Sequence, residues 1–213
     1  PLPQTGQMWL EHELLNKPES KGFFCVSTSY RQEPNAIPGR HDIIFPMFEF
    51  EMPGTIEDLK AMEYELCEYL GFTKPTEKTY REWQYYYDFE GELEADHETK
   101  MYKHFTTAMI TDFPEFTSPF WNMSRNNDGT SKKIDVILGG METIGSAERS
   151  TNVDQMRDTF HTITEGAYSK LLFDLFGKER VEAELEEFLK FDFFPRVGGG
   201  IGMTRMIAAM DTI

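Results

Sequence analysis

Four glycines fall within five residues near the end of the chain, at Gly198, Gly199, Gly200 and Gly202, and run directly into the apolar stripe Met203–Met210 with Arg205 on its first turn. Glycine removes the side chain, so a backbone carrying this run can lie against a flat or charged ligand. A helix starting there directs its positive end at that ligand, and Arg205 adds a fork of donors suited to phosphate oxygens. The pattern marks a candidate nucleotide site; a tight strand-to-helix turn, in which glycine only permits close packing, is the plainer alternative. The pattern differs from the dinucleotide fingerprint, which opens a βαβ unit and continues to an acidic residue downstream.

A second constellation lies at residues 23–52. Phe23–Tyr30 and Ile43–Met52 are apolar, β-branched and aromatic, and a polar loop holding Pro34, Asn35, Pro38 and Gly39 separates them. This predicts two antiparallel strands with a long connection. Arg31 and Glu33 leave the first strand, while Arg40, His41 and Phe45 enter the second. The later half of the second run alternates acidic and apolar residues, Glu49, Phe50, Glu51 and Met52.

The Arg-x-Glu with its later Arg-His and Phe resembles motif 2 of the class II aminoacyl-tRNA synthetases, and the C-terminal Gly-Gly-Gly-Ile-Gly-x-x-Arg resembles their motif 3. The likeness is to the aspartate, asparagine and lysine branch, including the stand-alone core of asparagine synthetase A. It covers nearly the whole chain and is weaker at about residues 73–95. It implies an α+β fold, a mixed, mainly antiparallel sheet flanked by helices, and one catalytic domain over residues 1–213.

The resemblance also implies roles. Arg31 holds the α-phosphate, Glu33 accepts from the adenine amino group, and Phe45 and Arg205 stack on the two faces of adenine. Arg40, His41, Gly200 and Gly202 complete the ATP site, His41 at the γ-phosphate. Arg31 and Arg205 are the catalytic pair. The segment Lys133–Arg149 resembles the strand pair carrying the metal carboxylates, with Asp135 and Glu142 as ligands of Mg²⁺, a cation that prefers carboxylates and retained waters. Arg149 reads the amino-acid side chain, Glu49 its ammonium, and Gln7 and Leu10 complete that pocket. Thr111–Pro114 and Pro119–Trp121 resemble the family as well.

Departures from the family bear on the reaction. Thr204 stands where tRNA synthetases of this branch carry Glu, and is closer to the asparagine synthetase A pattern. Leu10 stands where aspartate-specific members carry Lys, and argues for asparagine or for a weaker aspartate site; a lost charge-assisted bond there costs about 1.5–3 kcal/mol. Ile44 replaces a common Glu. The reading placed first is an ATP-dependent ligase that activates aspartate and passes it to ammonia. An asparaginyl- or aspartyl-tRNA synthetase core is the alternative, and a non-catalytic nucleotide-binding paralogue the third.

The net charge of −16 makes the chain a poor autonomous binder of tRNA. Cys25 and Cys67 lie in apolar patterns without a CxxC partner, which predicts buried thiols, a reducing and cytoplasmic setting and no zinc site. No apolar run approaches the length of a membrane span. The family's motif 1, which builds a homodimer interface, is not found here, so the chain is expected to be a fragment; no anticodon-binding domain is visible.

Local patterns complete the reading. Thr55–Leu70 predicts a helix, with Leu59, Met62, Leu66 and Leu70 at helical spacing and a stop at Gly71. Helices are also predicted at Glu94–Phe105, Asn152–Phe176 and Lys178–Phe188, a short strand at 108–111 and a turn at Asn126–Gly129. The aromatic run Trp83–Tyr87 reads as an edge strand or a lid packed on the core, or as a cap on the amino-acid pocket.

Overall fold

The computed structural model of the chain describes residues 2–31 and 36–213. In chain order it contains α1 (Gln7–Asn16), β1 (Phe23–Tyr30), β2 (Ile44–Pro53), α2 (Ile56–Tyr69), β3 (Thr76–Thr79), α3 (Tyr80–Tyr87), α4 (Ala95–Phe105), β4 (Thr107–Phe113), β5 (Ser131–Leu138), β6 (Met141–Glu148), α5 (Val153–Thr162), α6 (Ala167–Phe176), α7 (Lys178–Phe188), β7 (Arg196–Gly202) and α8 (Met203–Met210). The strands form one sheet in the order β1-β2-β7-β6-β5-β4-β3. Every neighbouring pair is antiparallel except β3 with β4.

Alternation decides which face each strand residue serves. Phe50, Ile134, Val136, Ile144, Val197 and Ile201 point to one face, where Leu59 and Cys67 of α2 and Met206 and Ala209 of α8 cover them. On the other face α1 lies over the β1-β2-β7 side. There α3 and α4 close the far end, with Tyr80, Trp83 and Met101 on Ala108, Ile110 and Ile137. The third cluster joins Trp121 to α5, α6 and α7. Between α1 and the α3-α4 end the second face stays open, and the cavity lies there.

Local chemistry explains most boundaries. Asp58 accepts from both the N–H and the hydroxyl of Thr55 at 2.8 Å, which starts α2 where the Thr predicts it. The β5–β6 hairpin turns on Gly139 and Gly140, both at positive φ (58° and 81°), a turn that side-chain-bearing residues rarely adopt. No helix of the described residues is long and apolar enough to cross a membrane.

Three expectations need correction. The glycine run is the strand β7, hydrogen-bonded to β2 on one side and β6 on the other and followed directly by the helix from Met203, so the plainer alternative of a tight turn does not hold. Two flanking strands override glycine's weak strand preference. The Trp83–Tyr87 run is helical and lies away from the cavity. Thr79 and Glu82 form its capping box, and Trp83 is fully buried, donating to the Met109 carbonyl at 3.1 Å. The stretch Asn152–Phe176 is two helices, broken where Thr164, Glu165 and Gly166 all take positive φ.

Candidate active site

Strand register builds the cavity floor. Glu49 of β2 faces Gly200, Gly200 faces Gly145, and Gly145 faces Asp135. Two residues along, Glu51 faces Gly198, Gly198 faces Ala147, and Ala147 faces Lys133. Each row spans three strand spacings, roughly 14 Å, with charged side chains at its ends and almost no side chain between. The result is a trough of about 670 Å³.

The floor residues need to be bare. A Cβ on Gly198 would stand 1.7 Å from Glu51 Oε2, and one on Gly200 would stand 2.4 Å from Met47 Cε. Gly202 caps α8 and also lines the trough.

One end of the trough is cationic. The Arg31 guanidinium lies 5.5 Å from the centre of the Phe45 ring. Arg205 donates to the Glu142 carbonyl at 2.6 Å and to the Arg40 carbonyl at 3.2 Å, which ties α8 to β6 and to the entry of β2. Arg40 donates to the Gly140 carbonyl at 3.0 Å and pairs with Glu98 of α4. His41 Nδ1 receives the Ile37 N–H at 3.3 Å. All five side chains line the cavity. Glu33 lies outside the described residues.

The other end is a network of buried charge. The Gly6 N–H donates to both oxygens of Glu49 (3.0 and 2.9 Å), and the hydroxyls of Thr5 and Ser27 donate as well. Arg149 forks onto Glu51 with two bonds of 3.1 Å. Gln7 donates to the Phe50 carbonyl at 2.8 Å and to Glu51. Burial works against the charge on Arg149, but Glu51 and Glu11 outweigh it and hold its pKa above the ordinary value. Leu10 is 7% exposed and packs in the core one turn further along α1; it is not among the cavity-lining residues, whereas its neighbour Met8 is.

Asp135 and Glu142 converge over Gly145. A Cβ there would stand 2.8 Å from Glu142 Oε1 and 3.5 Å from Asp135 Oδ1. Asp135 Oδ1 is buried with no hydrogen-bond partner, and Lys133 pairs with the other oxygen. Burial first, and then Glu142, push the Asp135 carboxyl up to about 7 against the opposing pull of Lys133. An orphaned carboxylate oxygen beside a second carboxylate fits a hard divalent cation, which commonly takes one or two carboxylates and completes its shell with phosphate and water. Among the described residues no group of three or more His, Cys, Asp or Glu side chains forms a ready-made metal cage.

Sequence reading missed Glu51, Glu98 and Lys133 as members of this site. For Glu51 the signal was present, since the alternation that puts Glu49 on the open face puts Glu51 there too. Beneath the floor, Glu63 of α2 is fully buried and accepts from Ser146 at 2.5 Å, with its second oxygen unpartnered. Burial pushes its carboxyl up to about 8.

A family model described as class II tRNA synthetases (D, K and N) matches residues 1–212. No curated protein matches the chain. Among solved structures it is similar to the asparaginyl-tRNA synthetase of Pyrococcus horikoshii complexed with asparaginyl-adenylate, at 18% identity and a TM-score of 0.79, covering 100% of this chain and 54% of that one. The asparaginyl-tRNA synthetase of Entamoeba histolytica, also with asparaginyl-adenylate, matches at 19% and 0.78, covering 98% and 53%. The aspartyl-tRNA synthetase of the same organism matches at 17% and 0.77, covering 99% and 49%. At these identities the likeness is one of fold, and the chain spans about half the length of these structures.

Proposed function

The chain belongs to the class II tRNA synthetases of the aspartate, lysine and asparagine group, and we propose that it is an ATP-dependent ligase that activates aspartate as an acyl-adenylate. The observation that carries this reading is the pair of opposed ends of one glycine-floored trough. Arg31, Arg40 and Arg205 stand at one end, and Glu49, Gln7 and Arg149 at the other.

In this reading ATP lies across Phe45 with its phosphates toward Arg40, His41 and Arg205. Glu49, pre-organised by its donors, takes the substrate's ammonium. The α-carboxylate attacks the α-phosphorus and pyrophosphate leaves. Arg31 stabilises the charge that grows on the α-phosphate, a contribution of about 3 kcal/mol for one well-placed donor. Asp135 and Glu142 would hold Mg²⁺, which would neutralise the phosphate charge when bound.

The acceptor favoured first is ammonia, because Thr204 supplies no acid before Arg205 and the acidic chain suits a small acceptor better than a polyanion. Transfer to tRNA is the second reading, supported by the solved structures that carry asparaginyl-adenylate. Quenched single turnovers with ATP, Mg²⁺ and aspartate test the proposal. Aspartyl-adenylate seen by mass spectrometry, converted to asparagine on adding ammonium, is the expected result. Adenylate that persists with ammonium and disappears only with tRNA would move the assignment to the second reading.

A further inference from the structure

We propose that Lys133 is the cation that makes the amino-acid end of the trough select a dicarboxylate, by binding the side-chain carboxylate of the substrate beside Arg149. The inference rests on the adenylate-forming reading above and adds to it the residue that decides between aspartate and its amide.

Arg149 does not supply this charge. Two of its fork nitrogens are engaged by Glu51, and both residues are buried, so together they present no net charge to a ligand. Gln7 is spent on the same carboxylate and on the Phe50 carbonyl. With these groups alone, that end would bind a neutral amide without penalty and would leave a carboxylate without its counter-charge.

Lys133 is placed to change the balance. It lines the same cavity and faces Ala147 across the β5–β6 pair. Arg149 follows two residues after Ala147, just past the end of β6, where it bridges Met123, and its side chain lines the same cavity. Ala147 and Gly198 put almost nothing between the lysine and the space above the floor. The ammonium rests 3.8 Å from the centre of the Phe113 ring and pairs with Asp135, while its side chain stays 23% exposed. An ammonium has three donors, so one remains for a ligand after these two contacts. Asp135 offsets the lysine's charge, but its orphaned oxygen and Glu142 are the groups that fit a divalent cation. Once they are engaged there, Lys133 carries a surplus of positive charge toward the trough.

Calorimetric titration tests the assignment without relying on turnover. Aspartate and asparagine are titrated separately into wild type, Lys133→Gln and Lys133→Arg, each with Mg²⁺ and an ATP analogue that cannot be cleaved at the α-phosphate. Wild type is expected to prefer aspartate. Lys133→Gln should weaken aspartate by about tenfold or more, the loss of one charged hydrogen bond, and change asparagine by less than about twofold. Lys133→Arg should retain most of the aspartate affinity. Equal weakening of both amino acids, or of neither, overturns the proposal. A wild type that binds asparagine at least as tightly as aspartate overturns it even if a variant fails to fold. Binding of the ATP analogue with no binding of either amino acid would instead remove the adenylate reading itself.

Discussion

Gly198 lies directly beneath Glu51: a Cβ at position 198 would stand 1.7 Å from Glu51 Oε2 and 2.6 Å from Gln7 Nε2. Arg149 and Gln7 hold Glu51 from two sides, so it can give way only by breaking those bonds. Gly198→Ala is therefore expected to destabilise the fold by about 2 kcal/mol, the usual scale of overpacking. It should also cost more than about a hundredfold in amino-acid affinity, since the whole network must shift. Urea unfolding and amino-acid titration of the purified variant check both, and an unperturbed affinity would show that the network does not face the substrate.

The orphaned oxygen of Asp135 gives a second prediction. In the wild type, Mg²⁺ should tighten the binding of a non-hydrolysable ATP analogue. In the double variant Asp135→Asn, Glu142→Gln that gain should disappear while the folded state persists, because both substitutions keep shape and remove charge. A magnesium effect of wild-type size in the double variant would place the metal elsewhere.

Glu63 predicts a pH dependence of stability. Its folded-state pKa of about 8 lies above the ordinary value of 4.5, so between these values the folded chain holds one more proton than the unfolded chain. Stability then falls as pH rises through that window, with a slope approaching about 1.4 kcal/mol per pH unit from this group. Asp135, at about 7, adds in the same direction. Glu63→Gln keeps an acceptor for Ser146 and removes the ionisation. The variant should be the more stable protein at about pH 8, with a flatter profile in denaturant titrations between about pH 5 and 8. Parallel profiles for wild type and variant would show that Glu63 does not titrate in this window.

Much of the architecture was legible because it rests on local pattern. The two strands joined through Arg31 and Arg40, the helix capped at Thr55, and the carboxylates Asp135 and Glu142 on paired strands follow from alternation, capping chemistry and family likeness. What escaped depends on register. Nothing in the sequence singles out Lys133, and only its pairing with Ala147 brings it to the trough. Leu10 reads as a specificity position by likeness, yet depth along α1 turns it into the core. The glycines' place in a central strand is not legible locally, because their partners, β2 and β6, lie about 150 and 55 residues away in the chain.

Amino-acid-dependent exchange of labelled pyrophosphate into ATP reports whether the adenylyl group of ATP is transferred to an amino-acid carboxylate in this trough. Wild type is expected to exchange with aspartate and Mg²⁺. Arg205→Ala, which loses its hold on the Glu142 and Arg40 carbonyls and a charged contact to phosphate, should exchange at least about a hundredfold more slowly, on the order of 3 kcal/mol in the barrier. Exchange in Arg205→Ala at the wild-type rate, or no exchange by the wild type with either aspartate or asparagine, would rule out adenylyl transfer at this site.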